Sequence, residues 1–197
     1  MKKIMFNDKY GLTQAVLEGR KTMTRRICKD QQWSKSDILA LNYDKLTLMT
    51  PPNYLINEVV AIAQAYKDIY EKRGFDMHDP FTFVSESAGW TNKMFVKAEL
   101  MPHHIKIKSV RVERLQDISN EDCLREGVVK NTIGYYVEGL KCKDWEKESH
   151  VEMENGETLK LFPTPREAFA ALIDKISGKG TWERNPFVWV YEFEFVD

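Results

Sequence analysis

Hydrophobic positions fall into short groups along the chain, and their spacing sorts them into strands and helices. Ile4, Met5 and Phe6 suit a short first strand, and Asn7 or Asp8 can cap a helix after it. Tyr10, Gln14 and Leu17, with Ala15 and Val16, carry a near-helical period that ends at Gly19. Thr22, Met23 and Thr24 favour extended backbone. The run Val59-Val60-Ala61-Ile62-Ala63 suits a buried strand or the start of a helix, since periodicity does not arbitrate a run that short. Strand signals return at Met94-Phe95-Val96-Lys97 and again over residues 105–115, where apolar and polar positions alternate. Ser119, three residues before Asp122, and Gly127 bracket a short capped helix. Thr164 and Pro165 open the strongest helix, which carries Phe169, Leu172, Ile173 and Ile176 on one side and ends at Gly178. A last strand covers residues 187–195. Between these groups, Pro51-Pro52 imposes extended or turn geometry on a mixed stretch, residues 72–92 read as a loop or lid, and residues 128–161 as a polar, irregular insertion.

Few helices among several alternating strands indicate an α+β fold, or a barrel with helical decoration. A length of 197 residues fits one domain, with two small ones as the alternative. The net charge of -1, from 29 basic and 30 acidic residues, argues against a general nucleic-acid coat protein. It leaves room for a local basic cleft, because steering depends on where the charges lie. Cys28, Cys123 and Cys142 share no CxxC spacing and read as reduced thiols; adjacent His103 and His104 and isolated His78 and His150 make no metal site. No apolar window approaches a membrane span, and the run after Lys2-Lys3 is too short for a signal peptide, so the expectation is a soluble, cytoplasmic protein without metal or cofactor.

Three stretches carry candidate chemistry. In Gly19-Arg20-Lys21-Thr22-Met23-Thr24-Arg25-Arg26, four cations repel one another unless an anion or carboxylates meet them. A phosphate suits that role, and a desolvated lysine beside a hydroxyl also suits nucleophile activation. The plainer alternative is a solvated basic turn that complements the dipole at a helix C-terminus. In the second stretch Glu126 lies at the end of a short helix, either as a cleft-facing acid or as an ordinary surface carboxylate. In the third, Trp182 and Arg184 lie among glycines and form a stacking surface for a base, or else Trp182 and Trp189 are core anchors around a turn ended by Asn185-Pro186.

Residues 19–26 resemble the GxKxxExR motif of the ASCH domain family, with Thr24 in the glutamate slot. The resemblance continues through Val110 to Ser119, the Arg125-Glu126-Gly127 turn and the stretch from Trp182 to Phe193. It covers the first 27 residues and most of 94–127 and 165–195, leaving 30–93 and 128–161 as insertions in a single domain spanning 1–197. It implies a PUA-like mixed β-barrel decorated by a few helices. It also implies a nucleotide, modified nucleoside or RNA as partner, with Gly19, Arg20, Lys21, Arg25, Arg26, Trp182 and Arg184 as binding residues. A small bacterial amidohydrolase of this superfamily deacetylates acetylcytidine with a lysine base, a threonine nucleophile and a glutamate acid. The matching positions here are Lys21, Thr24 and Glu126, in a chain nearly twice as long. Three readings follow: binding of a nucleotide or RNA in the basic cleft, hydrolysis of an acetylated nucleoside there, or an accessory role through protein contacts, as in phage or mobile-element proteins. The hydrolase alone requires Lys21, Thr24 and Glu126 to face one cavity within hydrogen-bond reach.

Overall fold

A computed structural model describes residues 1–28, 51–73 and 84–196. The fold is mixed α+β, centred on a five-stranded sheet in the order β1-β3-β4-β9-β2. These strands are β1 (Lys3–Ile4), β2 (Met23–Ile27), β3 (Val59–Ile62), β4 (His104–Arg114) and β9 (Phe187–Phe195). β1 runs parallel to β3, and the other pairings are antiparallel.

β4 and β9 form the centre. The alternation expected through residues 105–115 changes phase partway, because the register shifts between the Ile107 and Ser109 pairings. Ile105 and Ile107 are buried before the shift and Val110 after it, as an extra residue in one strand requires. The shift puts Arg111 opposite Val190 and Glu113 opposite Val188, and β2 brings Arg25 opposite the same Val190. Residues opposite one another share a face, so Arg25, Arg111 and Glu113 lie together, while Thr24 and Arg26 lie on the other face with Tyr191 and Trp189.

Helix α1 (Leu12–Leu17) buries Leu12, Ala15 and Val16, and Gly19 turns the chain in the left-handed region at φ 73°. Helix α2 (Tyr66–Arg73) follows β3, which pairs as an inner strand although it lies in the stretch set aside as an insertion. Helix α3 (Asn120–Arg125) has the expected cap, the Ser119 side chain accepting from the Asp122 amide. Helix α4 (Pro165–Ile176) is capped by Thr164 and buries Phe169, Leu172 and Ile173; helix α5 (Thr181–Arg184) follows.

The strand expected at residues 94–97 is instead a pair of 3-10 turns, Lys93–Phe95 and Ala98–Leu100. The Asn92 side chain accepts from the Met94 amide, and Lys3 Nζ donates to the Met94 and Val96 carbonyls, so these groups are met without a strand partner. Residues 128–161 also differ from expectation. They form two hairpins, β5 (Val129–Asn131) with β6 (Gly134–Tyr136) and β7 (His150–Glu152) with β8 (Thr158–Lys160), and they send Val137 and Leu140 into the main core. Much of the lid expected at 72–92, and most of the mixed stretch before Pro51, lies outside the described residues.

No closed barrel is found: among the described residues, β1 and β2 are the two edges of the sheet. One side-chain bond spans the gap between them, Arg26 Nη2 donating to the Met5 carbonyl at 2.6 Å. No helix of the described residues is long and apolar enough to cross a membrane.

Candidate functional site

A cleft of about 660 Å³ opens at this gap. Its polar floor comes from the turn after α1, from β2 and from the end of α3: Lys21, Thr24, Arg25, Arg26 and Glu126. Its apolar wall is the face of α4, with Phe169, Leu172, Ile173 and Ile176. Ile176, on the same side of the helix, is 39% exposed because it stands at the cleft.

Glu126 follows the last turn of α3 and caps it, which aims its side chain at the start of β2. The Thr22 amide donates to the Arg125 carbonyl at 3.0 Å and fixes the two elements together. Lys21 is 2% exposed and Glu126 4%. Lys21 Nζ donates to Glu126 Oε2 at 2.6 Å, to the Glu126 carbonyl at 2.7 Å and to the Met23 carbonyl at 2.7 Å. These three acceptors match the three protons of an ammonium. Burial nevertheless pulls the Lys21 pKa below its ordinary value of 10.5, and outweighs the opposing pull of Glu126. Gly127 allows this close approach. Its φ of 108° is left-handed, and a Cβ there would stand 2.9 Å from Leu12 Cδ2 and 3.8 Å from Lys21 Cδ.

Arg25, 7% exposed, holds the other side of Glu126, with Nη1 donating to Oε1 at 3.1 Å. The same guanidinium donates to Glu113 Oε1 at 2.9 and 2.6 Å and to Asp122 Oδ2 at 2.9 Å. Arg111 joins Glu113, Asp122 and Glu192, and Arg125 bonds Thr22 Oγ1, Asp122 and Glu192. Carboxylates of the chain itself therefore meet Lys21 and Arg25. This network was missed in the sequence, although the strand pair Arg111-x-Glu113 and the helix pair Asp122–Arg125 were its local signals.

Thr24 is buried to 5% and lines the cleft, and no described residue hydrogen-bonds its hydroxyl. Lys21, Thr24 and Glu126 thus line one cavity, but the hydrogen-bond reach expected of all three holds only for Lys21 and Glu126. The other expected binding residues divide. Arg25 and Arg26 line the cleft. Gly19 and Arg20 do not, and Arg20 pairs with Glu18 and Glu138 on the surface.

Trp182 and Arg184 also stand apart from the cleft lining. Trp182 meets Phe169 edge-on with centroids 6.2 Å apart, carries the Arg166 guanidinium 5.4 Å above its ring, and donates its backbone amide to Asp174. Arg184 bonds Thr181 Oγ1 and the Lys179 carbonyl within its own turn. Trp182 is partly buried against the main core, whereas Arg184 is exposed. Phe6, Asn7, Lys9 and Lys93 complete the cleft and were not singled out from sequence. Lys93 reaches it from a distant turn and had no local signal.

Among the described residues no group of three or more His, Cys, Asp or Glu is placed to hold a metal ion. Comparison of the chain with protein-family models, with curated proteins and with solved structures finds no match in any of the three.

Proposed function

We propose that the cleft hydrolyses an amide on a modified nucleoside of the acetylcytidine type, in a domain of the PUA-like, ASCH kind whose barrel is left open at the site. The observation that supports this reading is the buried 2.6 Å bond between Lys21 Nζ and Glu126 Oε2, in a cleft that Thr24 also lines and where no described residue bonds the threonine hydroxyl. A structural ion pair has no need of a nucleophile next to it, and a surface that grips phosphate has no need to neutralise its own lysine.

The pair shares one labile proton. When it sits on Glu126, the Lys21 amine takes the Thr24 proton as Oγ1 bonds to the acyl carbon. The carbon–nitrogen bond breaks, and the Glu126 proton passes to the leaving amine. The acetyl group is then an ester on Thr24, beside a Lys21 ammonium and a Glu126 carboxylate. Water attacks the ester, giving its proton to Glu126 and its hydroxyl to the acyl carbon, while Lys21 returns a proton to Thr24. Acetic acid leaves, and the pair is restored. Arg25 orients Glu126 throughout by holding Oε1, leaving Oε2 for the exchange.

The test is incubation with acetylcytidine, following cytidine and acetate by chromatography. Turnover is expected in the wild type and absent in Lys21→Ala and Thr24→Ala. Folded wild type without turnover, or a Thr24→Ala protein that keeps it, would overturn the reading.

A further inference from the structure

We infer that the substrate carries a phosphate, bound at the cleft by Arg26 and Lys9. This rests on the nucleoside reading above and narrows its substrate to a nucleoside monophosphate. The cleft is lined by five cations, Lys9, Lys21, Arg25, Arg26 and Lys93, against two carboxylates, Asp8 and Glu126. The excess is not spread evenly. Glu126 meets Lys21; Glu126, Glu113 and Asp122 meet Arg25; Asp8 meets Lys93 at 2.6 Å. Arg26 and Lys9 have no carboxylate among the described residues.

Arg26 is the more telling of the two. Among the described residues its guanidinium holds one hydrogen bond, from Nη2 to the Met5 carbonyl, and it stands 5.9 Å from the centre of the Phe6 ring. Its Nε is shut off from water and has no acceptor. Buried donors of that kind are normally satisfied, and an unsatisfied charged one asks for an acceptor from outside. The neutral sugar and base of a nucleoside offer no charge to match it. A phosphate offers oxygens that a guanidinium binds in pairs, and a small rotation of Arg26 away from Met5 presents Nε and one Nη together.

The spacing agrees. Thr24 and Arg26 are two residues apart on one face of β2, roughly 7 Å along the strand, and the arginine side chain extends the reach. One ligand therefore spans from the reacting carbonyl at Thr24 to an anion at Arg26. Two unpaired cations serve one phosphate; an RNA strand calls for a longer stripe of them. The chain's net charge of -1 and the carboxylates Glu18 and Glu138, which already hold Arg20, do not extend such a stripe.

The experiment compares kcat/KM for acetylcytidine 5′-monophosphate and acetylcytidine in the wild type, Arg26→Gln and Lys9→Gln. The expected wild-type preference for the monophosphate is about 10-fold or more at low salt, shrinking as salt rises. In Arg26→Gln the ratio falls toward one. A wild-type ratio at or below one, or a ratio unmoved in Arg26→Gln, overturns the inference while leaving nucleoside hydrolysis standing. Faster turnover of a short single-stranded RNA carrying the same acetylated base overturns the mononucleotide assignment. If neither small substrate is hydrolysed, the hydrolase reading fails, and calorimetry with cytidine monophosphate and cytidine decides the phosphate site. Tighter monophosphate binding lost in Arg26→Gln upholds it; equal binding overturns it.

Discussion

Arg25 and Arg26 are neighbours in the chain, and β2 sends them to opposite faces of the sheet. On one face, Arg25 is bonded to Glu126, Glu113 and Asp122, inside a network that continues through Arg111 and Arg125 to Glu192. On the other face, Arg26 bonds a single carbonyl among the described residues and leaves Nε without an acceptor there. The contrast teaches that a run of cations is not one functional unit. Within β2 the period of two separates Arg25, which builds the site, from Arg26, which remains available to a ligand.

The largest expected effect lies on the Arg26 face, where Thr24 stands. Thr24→Ala removes the proposed nucleophile and lowers kcat for acetylcytidine by about 10³-fold or more, with the fold unchanged by circular dichroism. Second in size is the difference between the two arginines in stability. Arg25→Met leaves buried Glu126 without one of its cations and costs about 3–5 kcal/mol in urea unfolding. Arg26→Met, which breaks no ion pair, costs about 0.5–1 kcal/mol in the same assay. Similar losses for both would dissolve the comparison.

Next comes Gly127→Ala. Its left-handed φ and the 2.9 Å approach to Leu12 Cδ2 predict a cost of about 1–3 kcal/mol, together with a shifted Lys21 and a lower kcat. The pH dependence is a smaller lever. Burial lowers the Lys21 pKa, so the neutral amine appears as pH rises through a value below 10.5. In that state the pair has lost the proton that Glu126 passes to the leaving amine, so kcat/KM falls as pH rises, with a midpoint below that of free lysine. The sign for stability is the opposite: between the lowered value and 10.5 the unfolded chain binds more protons, so this group's contribution improves as pH rises across that window. The smallest effects belong to Trp182→Phe and Arg184→Ala. Both lie away from the cleft lining, and kcat/KM is expected to stay within about 2-fold of wild type in the turnover assay.

Local signals carried much of this molecule. The Ser119 cap, the Gly19 stop, the Thr164-Pro165 helix start and the last strand all stand where side-chain chemistry and hydrophobic period put them. Each depends on residues within a few positions of one another. The turns at Lys93–Phe95 and Ala98–Leu100 escaped because Lys3, far away in the chain, takes the carbonyls that a strand partner would have met. The hairpins in 128–161 escaped because their strands are three residues long, too short for a period to register. Within the site, residues 19–26 and Glu126 were legible as candidates, whereas Lys9 and Lys93 were not, since nothing in their neighbourhood marks a cleft 660 Å³ in size.

By itself the sequence determined the α+β class, the principal helix boundaries, the central strands and the chemical types gathered in one short segment. It left open which cations meet carboxylates and which do not. Tertiary structure decided that, through the register shift in β4, the pairing of β2 with β9 and the Thr22–Arg125 bond that brings Glu126 to Lys21. The physical reason is distance along the chain. Caps and periods act over a few residues, whereas the Lys21–Glu126 pair closes a separation of 105 residues, and only the packed sheet and helix can hold two buried charges 2.6 Å apart.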